Sequence, residues 1–167
     1  RDGGYIDRTY IGTTLRDKNV NRSDIYGARA DVLFTPTDAL SIRVTGFLQE
    51  IARDGDSSAN ANAAGVLVAG LAQQRSMREP FDQSFRLVSG TIMYDFANAS
   101  LISVSGYQQT RSDLNFDFTA TYNPLLAARG FVYSAAGLHY DVNTERFTQE
   151  VRLASTGTRK LEWQIGG

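Results

Sequence analysis

The chain has 167 residues, enough for one ordinary domain, and its 17 basic and 18 acidic side chains nearly cancel, which argues against a phosphate-binding nucleic-acid surface. No run approaches the roughly 20 apolar residues that a membrane-spanning helix needs. Cysteine is absent and His139 is the only histidine, so disulfide scaffolds, thiol nucleophiles, thiolate zinc and multi-histidine metal sites are excluded, and no metal or cofactor is expected.

Three prolines against 15 glycines, 8 tyrosines and 9 phenylalanines suggest an aromatic-rich β protein. Arg1-Asp2-Gly3-Gly4 has neither the Met nor the basic and apolar stretches of a chain start. Gln164-Ile165-Gly166-Gly167 stops inside an extended run, so both ends read as cuts within a longer chain.

Period-2 alternation dominates and marks about seven strands. Gly3 to Leu15 is mixed. From Ile25 to Thr35, the residues Tyr26, Ala28, Ala30, Val32 and Phe34 form an apolar face opposite Gly27, Arg29 and Asp31, with Leu33 breaking the pattern. From Ala39 to Ile51, Leu40, Ile42, Val44, Gly46 and Leu48 oppose Ser41, Arg43, Thr45 and Gln49, with Phe47 on the polar side. Phe85 to Phe96 puts Val88, Ile92, Tyr94 and Phe96 on one face but Leu87 and Met93 on the other. Ala99 to Arg111 sets Ile102, Val104 and Gly106 against Ser103, Ser105, Tyr107, Gln109 and Arg111. Phe147 to Ser155 sets Phe147, Val151 and Leu153 against Glu150 and Arg152; Leu161 to Gly167 sets Leu161, Trp163 and Ile165 against Glu162 and Gln164.

A dozen residues at about 3.3 Å each span about 40 Å, and tilted by about 45° they cover the hydrocarbon core of a bilayer. The connections alternate in length. Thr35-Pro36-Thr37-Asp38, Asp95 to Ser100 and Ser155 to Lys160 are tight turns. Arg16 to Asp24 is of medium length, and 52–83 and 113–146 are long loops. Short turns on one rim and long loops on the other are the layout of an outer-membrane barrel. The fold class expected is therefore all-β: an antiparallel up-and-down transmembrane β-barrel segment of a larger barrel, with short periplasmic turns and long extracellular loops.

On this reading Leu40, Ile42, Val44, Ile102, Val104, Val151 and Leu153 face lipid. Arg29, Asp31, Arg43, Gln109, Arg111, Glu150, Arg152 and Glu162 form a lumen-facing polar wall, because a basic residue at the bilayer midplane costs about 2–4 kcal/mol. Phe34, Tyr94, Phe96 and Trp163 make an aromatic girdle at the tight-turn rim. Arg86 has lipid-face parity but lies toward the long-loop end, above the hydrocarbon.

The order Gly3-Gly4-Tyr5-Ile6-Asp7, Lys18-Asn19-Val20-Asn21, Gly27-Ala28-Arg29-Ala30, Thr35-Pro36-Thr37-Asp38-Ala39-Leu40-Ser41 and Leu101-Ile102-Ser103-Val104-Ser105-Gly106-Tyr107 resembles TonB-dependent outer-membrane receptors. The most specific stretch is Phe147-Thr148-Gln149-Glu150-Val151-Arg152-Leu153-Ala154-Ser155, followed by Leu161 to Gly167. The resemblance spans nearly the whole chain outside the two long loops. It implies a barrel of about 22 strands closed by a plug. It also implies a Gram-negative outer membrane, lipid contact, and a small-molecule ligand such as a ferric siderophore, cobalamin or a glycan. Uptake would be energised by the TonB complex through an N-terminal region. Neither plug nor TonB box is found in these residues, so the chain reads as part of the wall.

The loops carry the remaining candidates. Asp54-Gly55-Asp56-Ser57-Ser58 begins like a calcium loop, but Ala59 stands where the sharp-turn Gly belongs and Gly65 where the bidentate Glu belongs, so a polar loop is expected. Val66 to Ala72 is apolar and suits a short packed element. Tyr122, Phe131, Tyr133, His139 and Tyr140 make the second long loop aromatic and are the possible ligand contacts, with loop–loop packing as the plainer outcome. Asn21-Arg22-Ser23 and Asn98-Ala99-Ser100 match a glycosylation sequon without significance in a bacterium. There is no phosphate loop, no GxSxG and no histidine placed to pair with a nucleophile, so a non-enzymatic role is expected. Alternative readings are a complete small outer-membrane barrel with a structural or adhesion role, and a soluble β-sandwich binding module.

Overall fold

The computed structural model describes residues 3–158 and 160–167; the readings that involve Arg1, Asp2 and Arg159 lie outside the described residues. The elements in chain order are β1 (Asp7–Tyr10), β2 (Arg16–Asp17), β3 (Ser23–Thr37), β4 (Leu40–Arg53), β5 (Ala72–Arg75), β6 (Phe81–Asp95), β7 (Ala99–Asp117), α1 (Thr119–Ala127), β8 (Gly137–Ser155) and β9 (Gln164–Gly166). The protein is mostly β, with one helix among the described residues.

The long strands β3, β4, β6, β7 and β8 run to 15, 14, 15, 19 and 19 residues, against a usual length of about 5–6. With β9 they form a six-stranded up-and-down sheet in the order β3-β4-β6-β7-β8-β9. The described residues do not close a barrel, since β3 and β9 each have a neighbour on one side only. A three-stranded sheet, β2-β1-β5, pairs β1 antiparallel with β2 and parallel with β5.

The chain divides into two compact units. The first comprises residues 1–26, 50–83 and 111–142; the second comprises 27–49, 84–110 and 143–167. Among the described residues, the buried apolar side chains are Ile6, Val20 and Ala72, all in the first unit. Among the described residues the second unit buries none.

Several expectations are corrected. Gly3 to Leu15 is not a long strand of the main sheet; β1 and β2 are short and belong to the small sheet. The loop 52–83 contains β5, whose parallel pairing with β1 begins at Asp7↔Ala72. The loop 113–146 shrinks to 118–136, because β7 extends to Asp117 and β8 starts at Gly137. Cross-strand pairs such as Arg111 with Asp141 and Asn115 with His139 run along this extension. His139 and Tyr140 are therefore strand residues, not loop residues. Pro36 is not a turn residue either. It lies inside β3, an edge strand of the sheet, where proline is tolerated, and the turn is Asp38-Ala39. The last strand is shorter than 161–167, covering only Gln164–Gly166.

Candidate functional site

The two faces of the second unit can be followed strand by strand, because side chains alternate along a strand and neighbours on one face touch. Between β3 and β4 like parity shares a face: Thr45 donates a 2.5 Å hydrogen bond to Asp31. The same holds from β4 to β6, where Phe47 and Phe85 pack edge to face at 5.7 Å. The β6–β7 turn reverses parity, since the Phe96 amide donates to the Ala99 carbonyl across a two-residue connection. From β7 to β8 parity is kept: Gln109 donates to Glu145 at 3.2 Å, and Gln149 donates to Ser103 at 3.0 Å. β9 continues it through Leu153↔Ile165.

One face thus carries even positions on β3, β4 and β6 and odd positions on β7, β8 and β9. It holds Leu40, Ile42, Val44, Val88, Ile92, Leu101, Phe147, Val151 and Leu153. This face is open: Val32 is 64% exposed, Phe34 60%, Val44 48% and Val88 58%. Phe34, Tyr94 and Trp163 lie on it beside the short turns, and Phe96 packs on Tyr94 at 4.7 Å. Toward the opposite strand ends, Tyr107 on β7 and Phe147 on β8 fall at opposing positions of this register. Beyond them the face turns polar with Arg86, Gln109 and Glu145. The apolar band between the aromatics is about nine residues high, close to the 9–11 residues with which a tilted strand crosses a bilayer. Ser103, Ser105 and Gln149 interrupt it, and they hydrogen-bond to one another.

The other face carries Arg29, Asp31, Arg43, Glu150 and Arg152. Arg29 pairs with Asp31 at 2.7 Å and Arg152 with Glu150 at 2.5 Å. Glu162 precedes β9 with the parity of Gln164, which pairs with Ala154. Two expectations fail here. Ile102 and Val104 share this polar face with Arg43, whereas Gln109 lies on the face of Leu40. Arg111, beyond the second unit, keeps the parity of Gln109 on β7 and pairs with Asp141 at 3.2 Å. The cause is the length of the 97–98 turn: a one-residue change of register moves every side chain of a strand to the other face, and the mixed composition of β7 does not reveal which register applies.

In the first unit, Arg8 and Gln73 are each 1% exposed, adjacent on paired strands. Arg8 donates to the Asp54 carbonyl and lies over the Tyr10 ring at 5.7 Å. The buried Asn21 carbonyl accepts from the amides of Tyr5 and Ile6 at 2.7 and 2.8 Å, which places its side chain inside and away from any modifying enzyme. The Asp7 carboxyl is held below its ordinary range by the Asn19 amide and by Arg16. At Asp56 burial pushes upward, but bonds from Ser58 and Ser57 outweigh it and the net shift is down. A cavity of about 350 Å³ on the small sheet is walled by Thr9, Arg16, Asn60, Val68 and Gln74.

The aromatic candidates fall into two groups. Tyr122 packs on Phe118 and Tyr140 on Phe116, with Phe116 and Phe118 in contact, so these four rings form one chain. Phe131 and Tyr133 stack separately at 6.4 Å and are half exposed. His139 Nδ1 lies 3.0 Å from Asn115 Oδ1 and 3.7 Å from Asp113. Among the described residues no cluster of His, Asp and Glu is arranged to hold a metal ion. No family model, curated protein or solved structure matches the chain.

Proposed function

We propose that this chain is a wall segment of a TonB-dependent receptor in a Gram-negative outer membrane, part of a transporter for energised uptake of a scarce nutrient such as a ferric siderophore. The observation that carries the reading is the open apolar band of the second unit, about nine residues high and edged by aromatics at both ends. In water such a face would be sealed by a second layer, since soluble monomers rarely expose contiguous apolar patches beyond a few hundred Å². In lipid it is the expected outer surface of a barrel. The unpartnered sides of β3 and β9 favour the same reading, because unpaired backbone groups are not tolerated in hydrocarbon and need further strands of a closed barrel.

In this role the apolar face meets acyl chains and the polar face meets a hydrated lumen holding a plug. The Arg29–Asp31–Thr45 and Glu150–Arg152 groups are internally paired. They offer the plug hydrogen bonds without leaving a bare charge against it, which suits a surface along which a plug rearranges. The first unit supplies extracellular loops, where the exposed Phe131–Tyr133 stack offers an apolar ring surface to a ligand.

The test uses the full protein containing this chain, expressed in Gram-negative cells with single cysteines at Val44 or Arg43. Both variants should fractionate with the outer membrane; Val44→Cys should resist water-soluble maleimides and react with a lipid-dissolved probe, and Arg43→Cys should show the reverse labelling. Uptake of ferric siderophores should require TonB. A protein that stays soluble without detergent, or equal water-phase labelling at both positions, would overturn the reading.

A further inference from the structure

We infer that the apolar face carries a discrete binding site for one membrane lipid, with an acyl chain in a groove over β3 and β4 and an anionic phosphate headgroup on Arg86. The inference rests on the membrane reading above. The groove is an open depression of about 370 Å³ and lies wholly within the second unit. Its floor is made by Ala28, Ala30 and Gly46, three of the smallest side chains brought together on one face; its walls are Leu48 and Val88. The space above Gly46 is open, with no atom within 4 Å of where a Cβ would stand.

A methylene takes up about as much room as a water molecule, about 30 Å³, so the groove holds about a dozen carbons of a chain. Arg29, Phe47 and Leu87 complete the lining, whose surface is largely apolar and fits a hydrocarbon. One end is different. Arg86, which also lines the groove, is a permanent positive charge with no ion pair among the described residues. It lies on the long-connection side of Val88 along β6, where the apolar face ends. In a membrane that is headgroup level, so a guanidinium and an acyl-sized groove stand in the order in which a lipid presents phosphate and chain. Guanidinium pairs with phosphate through two parallel hydrogen bonds, which gives the site its preference for an anionic headgroup.

The test is native mass spectrometry of the full protein released from detergent with added phosphatidylglycerol, alongside Arg86→Gln and Gly46→Leu. Retained folding is checked by heat-dependent migration in gels. The wild type should retain one lipid. Arg86→Gln should weaken retention about fivefold to tenfold, the effect of one basic residue at a headgroup. Gly46→Leu, whose side chain enters open space, should abolish retention while the protein stays folded. Equal lipid retention in all three folded proteins would overturn the site while leaving the membrane reading intact. A change of oligomeric state in the variants without loss of lipid would overturn it too, by making the groove a contact between copies. A protein that needs no detergent would remove both readings together.

Discussion

Gln149 on β8 accepts a hydrogen bond from the Ser105 hydroxyl on β7 and so fixes which faces of these two strands coincide. Its amide nitrogen also donates to Ser103, leaving both ends of the amide satisfied within an otherwise apolar face. The alternative in hydrocarbon is an unsatisfied amide, although unfolded chains in a membrane find partners of their own. Interhelical side-chain bonds there are worth about 0.6 kcal/mol on average and about 1.7 at most. Gln149→Ala should therefore destabilise the folded protein by about that range, read from urea unfolding in lipid vesicles. Gln149→Leu should recover part of the loss, because it refills the space of the amide with apolar atoms on an otherwise apolar face, while Ser103 and Ser105 lose the same partner in both variants.

The register makes a sharper prediction at β7. Ile102 lies on the face of Arg43 and Ser103 on the face of Val44, although hydrophobicity suggests the opposite. In lipid, Ser103→Arg should cost about 2–4 kcal/mol if it lies near the midplane, and Ile102→Arg markedly less. Val44→Arg serves as the reference for a full penalty. Unfolding midpoints of the three variants in vesicles decide it: a larger loss at Ile102 than at Ser103 would refute this register.

What the sequence made legible follows from where its periodicity was unambiguous. On β3 and β4, Ala28 to Phe34 and Leu40 to Leu48 alternate with one exception each, Leu33 and Phe47, and the hydrogen bond from Thr45 to Asp31 joins their polar sides. On β7 both faces mix small, apolar and polar residues, so its parity in the sequence rests on Ile102, Val104 and Gly106 alone. The turn at Ala97-Asn98, not the strand, determines the answer. The small sheet was illegible for a different reason: β1, β2 and β5 are 4, 2 and 4 residues long, too short for period 2 to stand out. Its interior is built on the buried polar side chains Arg8 and Gln73, which hydrophobicity does not mark. In the later part of β7 and the first part of β8, Asp113, Asp141 and Glu145 interrupt any apolar alternation, so the strand does not stand out in the sequence. Those charges pair across the strands, Arg111 with Asp141 among them.

Asn21 gives the first unit a single point of failure. Its carbonyl satisfies two backbone amides, those of Tyr5 and Ile6, and Ile6 is 1% exposed. Asn21→Ala leaves the buried Ile6 amide without a partner, at a cost of about 1–3 kcal/mol. Hydrogen exchange at Ile6 and Val20 should accelerate by about one to two orders of magnitude. Asn21→Asp keeps an acceptor at the same place and should lose much less. Amides in β6 and β7 within the second unit should not respond.

Acid should open the same unit through Asp7. Its carboxylate accepts from the Asn19 amide at 3.2 Å and from Arg16 at 2.6 Å, and both lower its pKa in the folded state below the ordinary 3.8. A carboxyl whose pKa is depressed by folding adds stability above its unfolded pKa, and that contribution disappears as pH falls through the folded value. Asp56 has the same sign. Hydrogen-exchange protection at Val20 should therefore stay level from neutral pH down to about 4 and begin to fall below that. Asp7→Asn cannot ionise, so it should be less protected at neutral pH and should show a smaller acid step. An equal step in the variant would mean that the Asp7 contacts do not hold the β1–β2 connection closed.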